Sequence, residues 1–233
     1  MQATLISEIN EARAKRRPVA VVTGLGDHAQ RLVTADNAGG DPLGEAISNR
    51  FRSGKSGIVT DENGEHFIQV YVPPPRLVII GAVHISQALA PMARSCNFDV
   101  TVIDPRTAFA TPERFAETKL IADWPEDVLK DAPLDAYTAL AALTHDPKID
   151  DIPLKAALEA GCFYVGALGS RKTHAKRAAR LMEVGITQSQ MDGIDAPIGM
   201  DIGAANPAEI AVAVLARVIE ALRKAPLEQV AAA

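Results

Sequence analysis

An α/β fold is predicted for this chain, with a doubly wound, mostly parallel sheet and a smaller N-terminal α/β domain. Three observations carry that expectation. Pro73 to Pro75 stiffen the approach to a nearly continuous apolar run, Arg76 to Ile80, of the kind found in a parallel strand covered on both faces. A turn at Gly81-Ala82 then leads into Ile85, Ala88, Leu89 and Met92 at helical spacing, so the stretch reads strand, tight glycine turn, helix. About twenty residues further on, a second apolar strand, Val100 to Ile103, ends at Asp104, where a Rossmann-like sheet places an acid against a ribose hydroxyl.

The elements before the prolines make up the smaller domain, residues 1–72. Thr4 to Arg17 carries Leu5, Ile9 and Ala12 at helical spacing and is stopped by Pro18. Val19 to Val22 reads as a short strand and Gln30 to Ala35 as a second. A glycine-rich turn from Asp36 to Asp41 leads into a helix from Pro42 to about Arg52. Gly57 to Thr60, the turn Asp61-Glu62-Asn63-Gly64 and the alternating strand His66 to Val72 form a hairpin. Residues 73–75 are the proline connector, since three prolines cannot continue a ladder.

Residues 76–233 form the Rossmann-like domain. After its first two strands comes an irregular region, Arg106 to Arg114, in which Thr111-Pro112-Glu113 resembles a helix start. Lys119 to Ala122 is a brief strand, Pro125 opens a short helix, and Ala136 to Leu143 is a further buried strand. A helix is expected over Ile152 to Ala160, closed by Gly161, with Asp150 and Asp151 as its capping residues. Phe163 to Leu168 is a strand whose turn leads into a strongly basic helix, followed by a loop rich in Ile, Gly and Pro. Its spaced glycines, Pro197 to Ala204, suit a tight loop packed under the sheet or against a ligand. Asn206, Pro207 and Glu209 then give an N-cap, a proline at the first helical position and an early acid for a helix to about Lys224. Its apolar face, Ile210, Val214, Leu215 and Ile219, suits either a core or a dimer interface. The alanine-rich tail should fray.

Composition narrows the function classes. A net charge of -5 argues against a nucleic-acid partner, although Arg171, Lys172, Lys176, Arg177 and Arg180 form a local basic cluster suited to a small anion. No apolar run spans a bilayer and the N-terminus lacks a secretory layout, so a cytoplasmic protein is expected. Cys96 and Cys162 read as buried structural thiols, and the five histidines lack zinc-site spacing, so no metal site is expected.

In open sheets of this type ligands collect beyond the carboxyl ends of the strands, and four polar turns fall there. They supply the candidate site residues Gly81, Ala82, His84, Asp104, Arg106, His145, Gly169, Ser170, Arg171 and Lys172. Gly169-Ser170-Arg171-Lys172 offers backbone N–H groups, a hydroxyl and two cations at a helix start: an anion cradle, or else the solvated face of a basic helix. His145 is a candidate base or crevice residue, and Asp146 either orients it or caps the turn before Pro147, with capping favoured. The dinucleotide fingerprint is altered, because Val83 stands where bare backbone should meet a pyrophosphate and Ser86 replaces the third glycine. No catalytic nucleophile is evident: Ser170 lacks the G-x-S-x-G setting.

Ordered motifs from about Val70 to Lys224 add a resemblance. Pro74-Pro75-Arg76-Leu77, Gly81-Ala82-Val83-His84, Val102-Ile103-Asp104-Pro105-Arg106, Leu143-Thr144-His145-Asp146-Pro147, Val165 to Arg171, Ala196-Pro197-Ile198-Gly199 and Asp201-Ile202-Gly203-Ala204 closely resemble the XdhC/CoxI family. These are accessory factors for xanthine dehydrogenase and related molybdenum hydroxylases. The resemblance implies a chaperone that binds molybdenum cofactor (molybdopterin with its metal), holds it for sulfuration and hands it to the apo-subunit of a molybdenum hydroxylase. It implies a cysteine desulfurase as a further partner. Family members often carry a Gly-Gly-Cys-Val-Glu loop in the N-terminal domain, whereas this chain has Gly39-Gly40-Asp41 and a later Glu45. The chain would then act as a homodimer or with a separately encoded chain, and only the latter would bring the missing thiol. The cofactor's phosphate suits Arg171, Lys172 and the helix start. The rival reading is a NAD(P)- or FAD-dependent oxidoreductase, motivated by Gly81 and Asp104 and opposed by Val83.

Overall fold

The computed structural model describes residues 3–224, and within them the chain forms two compact units that meet in sequence between Pro73 and Pro74. The expected alanine-rich tail lies outside the described residues.

The first unit contains α1 (Ala3–Ala14), β1 (Val19–Gly24), β2 (Gln30–Thr34), α2 (Ala35–Ala38), α3 (Gly44–Ser53), β3 (Gly57–Asp61) and β4 (Gly64–Tyr71). Its four strands form an antiparallel sheet in the order β2-β1-β4-β3. β1 is apolar at every position from Val19 to Val22 because both of its faces are covered. Ala20 and Val22 pack with Ile47 and Phe51 of α3, while Val19 and Val21 pack with Ile9 of α1. The hairpin register pairs Asp61 with Gly64, leaving a two-residue loop at Glu62 and Asn63. Two boundaries differ from those the sequence predicts. The glycine-rich turn begins with the helical turn α2, held by a Thr34–Asn37 capping box, and α3 starts at Gly44 rather than Pro42.

The second unit runs β5 (Arg76–Ile80), α4 (His84–Ser95), β6 (Asp99–Ile103), β7 (Lys119–Ile121), α5 (Pro125–Asp131), β8 (Thr138–Ala142), α6 (Pro147–Glu159), β9 (Tyr164–Ala167), α7 (Arg171–Glu183), α8 (Gln188–Asp192), β10 (Ile194–Asp195) and α9 (Pro207–Lys224). The sheet order is β10-β9-β8-β5-β6-β7 with every pairing parallel, the doubly wound Rossmann-like arrangement. β5 is the hinge of the winding: Leu77 and Ile79 face the core made with α4 and α9, while Val78 and Ile80 face the core containing Leu154 of α6 and Leu181 of α7. Strand order reverses between β5 and β8, so their carboxyl ends flank the crevice where such sheets bind ligands.

Several local expectations are corrected. α6 starts at Pro147, five residues before the expected Ile152, because Asp146 caps it by accepting the Lys148 N–H at 3.0 Å and proline suits the first helical position. Asp150 and Asp151 therefore lie within the helix. Thr111-Pro112-Glu113 opens no helix; the segment stays in turns, with Arg114 donating to the Phe109 carbonyl at 2.7 Å. The loop rich in Ile, Gly and Pro contains α8 and β10. Cys96 is exposed, since it lies just past the last turn of α4 where Asn97 (φ 65) bends the chain, while Cys162 is buried. The apolar face of α9 serves the core, with Val214, Leu215 and Val218 buried. No helix among the described residues is long and apolar enough to cross a membrane.

Candidate functional site

The four polar turns lie beyond the carboxyl ends of the adjacent strands β6, β5, β8 and β9, and they sort into two clusters. The first joins the β5 and β6 ends. Gly81 takes φ 110, and a Cβ there would lie 2.7 Å from Thr144 Cγ2, so glycine is required both by conformation and by the approach of the β8 turn. Ala82 is buried, and its N–H donates to Asp104 Oδ2 at 2.7 Å. Asp104 is itself fully buried and accepts from the Arg106 backbone N–H and Nε at 2.9 Å and from Nη2 at 2.8 Å. Burial pushes this carboxyl up, but the hydrogen bonds from Arg106 and Ala82 outweigh it and hold the pKa below the usual carboxylate value. Ser86 donates its hydroxyl to the Gly81 carbonyl, which ties the first turn of α4 to the strand end. Val83 is the N-cap of α4 and packs against the apolar cluster around Leu77 and Leu89, while His84 is exposed.

The second cluster joins the β8 and β9 ends with α6 and α7. Thr144 accepts the Asp146 N–H at 3.0 Å and donates its hydroxyl to Asp150 Oδ1 at 2.7 Å. His145, between them, is exposed and holds φ 64, a left-handed conformation uncommon for a side-chain-bearing residue. A Cβ on Gly169 would stand 3.7 Å from His145 Nδ1, so these two candidates are neighbours across the β8 and β9 turns. Ser170 caps α7 by accepting the Thr173 N–H at 3.2 Å, leaving the Arg171 and Lys172 N–H groups at the helix start without intrahelical acceptors. Behind this turn lies a cleft of about 260 Å³ lined by His145, Pro147, Asp150, Lys172, Lys176 and Arg177, with the Asp151–Arg180 ion pair (2.6 Å) at its side. Lys172 and Lys176 are exposed, whereas Arg177 is 2% and Asp150 1% exposed.

Arg177 donates Nη2 to the Leu168 carbonyl at 2.9 Å, but its Nε and Nη1 are buried without hydrogen-bond partners, as is Asp150 Oδ2. Burial pushes the Asp150 carboxyl up to about 6, against the opposing pull of the Thr144 hydroxyl, the Arg177 charge and the backbone N–H groups of Thr144 and His145.

Of the sequence candidates, His145 and Lys172 line this cleft and Gly169 neighbours His145, while Ser170, the α7 cap, and the exposed Arg171 do not line it. Gly81, Ala82, Asp104 and Arg106 form the separate, internally bonded cluster, and His84 stands exposed at the start of α4. Asp150, Lys176 and Arg177 are the cleft residues that strand ends alone do not reveal. Their signals are present all the same: Asp146-Pro147 marks a helix start, and Arg177 precedes Leu181 by four residues on the buried face of α7. In the first unit, Asp41, which follows Gly39-Gly40, is held by Arg31 through two bonds of 2.8 Å. Among the described residues no group of three or more His, Cys, Asp or Glu side chains is placed to hold a metal ion.

Residues 77–218 match the profile of the XdhC Rossmann domain. The chain is 32% identical over 165 residues to a Bacillus subtilis protein named as a probable xanthine dehydrogenase subunit, covering 70% of this chain and 48% of that protein. It is 33% identical over 146 residues to the molybdenum cofactor insertion chaperone PaoD of Escherichia coli, covering 63% and 40% of the two. It is also 30% identical over 177 residues to the uncharacterized protein YqeB of Escherichia coli, covering 75% and 33%. The chain thus spans between a third and a half of the length of these relatives. A crystal structure described as a xanthine dehydrogenase from Bacillus halodurans aligns with a TM-score of 0.67 over 94% of this chain and 67% of that one; at 24% identity the likeness is one of fold.

Proposed function

The chain belongs to the XdhC/CoxI family, and from that premise we propose that it is an accessory factor that binds molybdenum cofactor and delivers it to a xanthine dehydrogenase-type hydroxylase. The observation that carries this reading is the cleft between α6 and α7, where Lys172, Lys176, Arg177 and Arg180 outnumber Asp150 and Asp151 beside the N-terminus of α7. A phosphate-bearing ligand gains there from charge-assisted hydrogen bonds and from the helix start. The relative named as a molybdenum cofactor insertion chaperone supports the same role.

The surrounding groups favour holding a ligand over transforming it. Ser170 Oγ is engaged as the α7 cap. Cys162 is buried with its thiol pushed up to about 12 by desolvation, so it stays protonated and unreactive at neutral pH. A nicotinamide or flavin dinucleotide would need a free acid at the end of β6, and Asp104 is already held by Ala82 and Arg106.

Equilibrium titration of the full chain with molybdopterin, NADH and FAD under anaerobic conditions tests this reading. Saturable binding of molybdopterin, followed by its transfer to an apo-hydroxylase, is the expected result. Binding of NADH or FAD with no affinity for molybdopterin would overturn it.

A further inference from the structure

We propose that the cleft between α6 and α7 reads the edge of a fused heteroaromatic base bearing an exocyclic amino group and an oxo group, with Asp150 accepting from the amino group and Arg177 donating to the oxo oxygen. The inference rests on the binding role proposed above, because the pterin of molybdopterin carries such an edge, and it assigns which end of the ligand points inward.

Five polar or charged side chains are buried among the described residues: Ser86, Asp104, Thr138, Asp150 and Arg177. Ser86 bonds the Gly81 carbonyl, Asp104 bonds Ala82 and Arg106, and Thr138 bonds Asp135 and Arg76. Asp150 and Arg177 differ: Asp150 Oδ2 and Arg177 Nε and Nη1 have no partner, and no hydrogen bond joins the two residues. Desolvated donors and acceptors without partners cost free energy that a complementary ligand recovers on binding.

Each of the two is nevertheless fixed in place. Thr144 holds Asp150 through Oδ1, and the Leu168 carbonyl holds Arg177 through Nη2, which leaves one carboxylate oxygen and two guanidinium nitrogens for a ligand. The carboxylate and the guanidinium carry opposite charge, so this floor is close to neutral and suits an uncharged edge with a donor beside an acceptor. A carboxylate accepting from an exocyclic amino group, and an arginine donating to a ring carbonyl, are the pairings by which proteins read nucleobase edges. Excess positive charge lies instead at the exposed Lys172 and Lys176, where a phosphate at the outer end of the ligand would sit. The size agrees: about 260 Å³ is below the ~300–1,000 Å³ typical of clefts for larger ligands, so it admits one fused ring pair rather than a dinucleotide. The raised pKa of Asp150 points the same way, since a poorly solvated carboxylate gains from new N–H donors.

The test is a fluorescence titration of the full chain with neopterin, a pterin without phosphate, and a parallel titration with inorganic phosphate. Wild type should bind neopterin, and guanosine, which bears the same amino-oxo edge, should displace it at concentrations about tenfold below those needed with adenosine, which lacks the oxo group. Asp150→Asn, close in shape and relieved of a buried charge, should weaken neopterin about tenfold or more while phosphate binds as before or more tightly. Equal displacement by guanosine and adenosine, or equal neopterin affinity in wild type and a folded Asp150→Asn protein, would overturn the inference. The two levels separate cleanly. Molybdopterin bound equally by wild type and Asp150→Asn defeats the edge assignment and leaves the cofactor role standing; neopterin bound through Asp150 with no affinity for molybdopterin does the reverse.

Discussion

On the β6 side of β5, the Asp104 carboxylate takes the Ala82 N–H at 2.7 Å and the Arg106 guanidinium at 2.8 and 2.9 Å, and Ser86 closes onto Gly81. On the β8 side, Asp150 and Arg177 are as deeply buried, yet each leaves polar atoms without a partner beside a cleft. Both clusters lie at strand ends where doubly wound sheets bind ligands. Their difference teaches that residues matching a ligand-binding fingerprint can also brace the turn that carries them. The Asp104 network fixes the β5 turn, while the less familiar residues on α6 and α7 leave polar atoms without a protein partner, the capacity that the proposed ligand would use.

The comparison can be broken from either side. The largest effect should come from Asp104→Ala, which removes the acceptor of a buried N–H and the partner of Arg106. Chemical denaturation should show a loss of about 2–4 kcal/mol, while neopterin affinity in the folded variant stays within about twofold. Gly81→Ala imposes a side chain at φ 110 and places its Cβ 2.7 Å from Thr144 Cγ2, and should cost about 2–3 kcal/mol by the same measurement.

The two buried carboxylates should also respond oppositely to pH. Asp104 has a lowered pKa, so its contribution is present above the unfolded-state value and is lost as pH falls through the folded one. Asp150 has a folded pKa of about 6, above its ordinary value of 3.8; it binds protons more readily when folded, so stability falls as pH rises from about 4 to about 6. Asp150→Asn lacks this dependence. Its stability relative to wild type should improve by about 2 kcal/mol between pH 4 and pH 7, as read from paired denaturation curves. A constant difference across that range would show that Asp150 is not desolvated as its burial implies. The smallest effect concerns the rim: Lys172→Ala should weaken a phosphate-bearing pterin roughly threefold to tenfold, and Arg171→Ala less, with stability changed by no more than about 0.5 kcal/mol in either.

Much of the scaffold is legible in the sequence. β5 and β6 are announced by apolar runs buried on both faces, and α9 by Asn206 and Glu209, whose side chains cap as expected, the Glu209 N–H meeting Asn206 Oδ1 at 3.0 Å. The same signature, Asp146-Pro147, opens α6, but Asp146 also reads as the cap of a turn before Pro147, and the paired acids Asp150 and Asp151 read as caps of a helix starting near Ile152. Arg177 is hidden differently. Within a run of basic residues it looks solvated, and only its register with Leu181 places it inside. Asp104 is visible as an acid at a strand end, but its bond to Arg106 depends on how the chain turns after β6, which strand patterns do not specify. β10 pairs through only two residues, too few for an alternating pattern to register.

A crystal structure of the full chain with bound neopterin bears most directly on where the ligand is held. The ring should lie between α6 and α7, its amino group within hydrogen-bond distance of Asp150 Oδ2 and its oxo group within reach of Arg177 Nε or Nη1. A ring lying instead over the Gly81-Ala82-Val83 turn, with Asp150 Oδ2 and Arg177 Nε and Nη1 still without partners, would contradict the assignment of the ligand to the β8 side of the sheet.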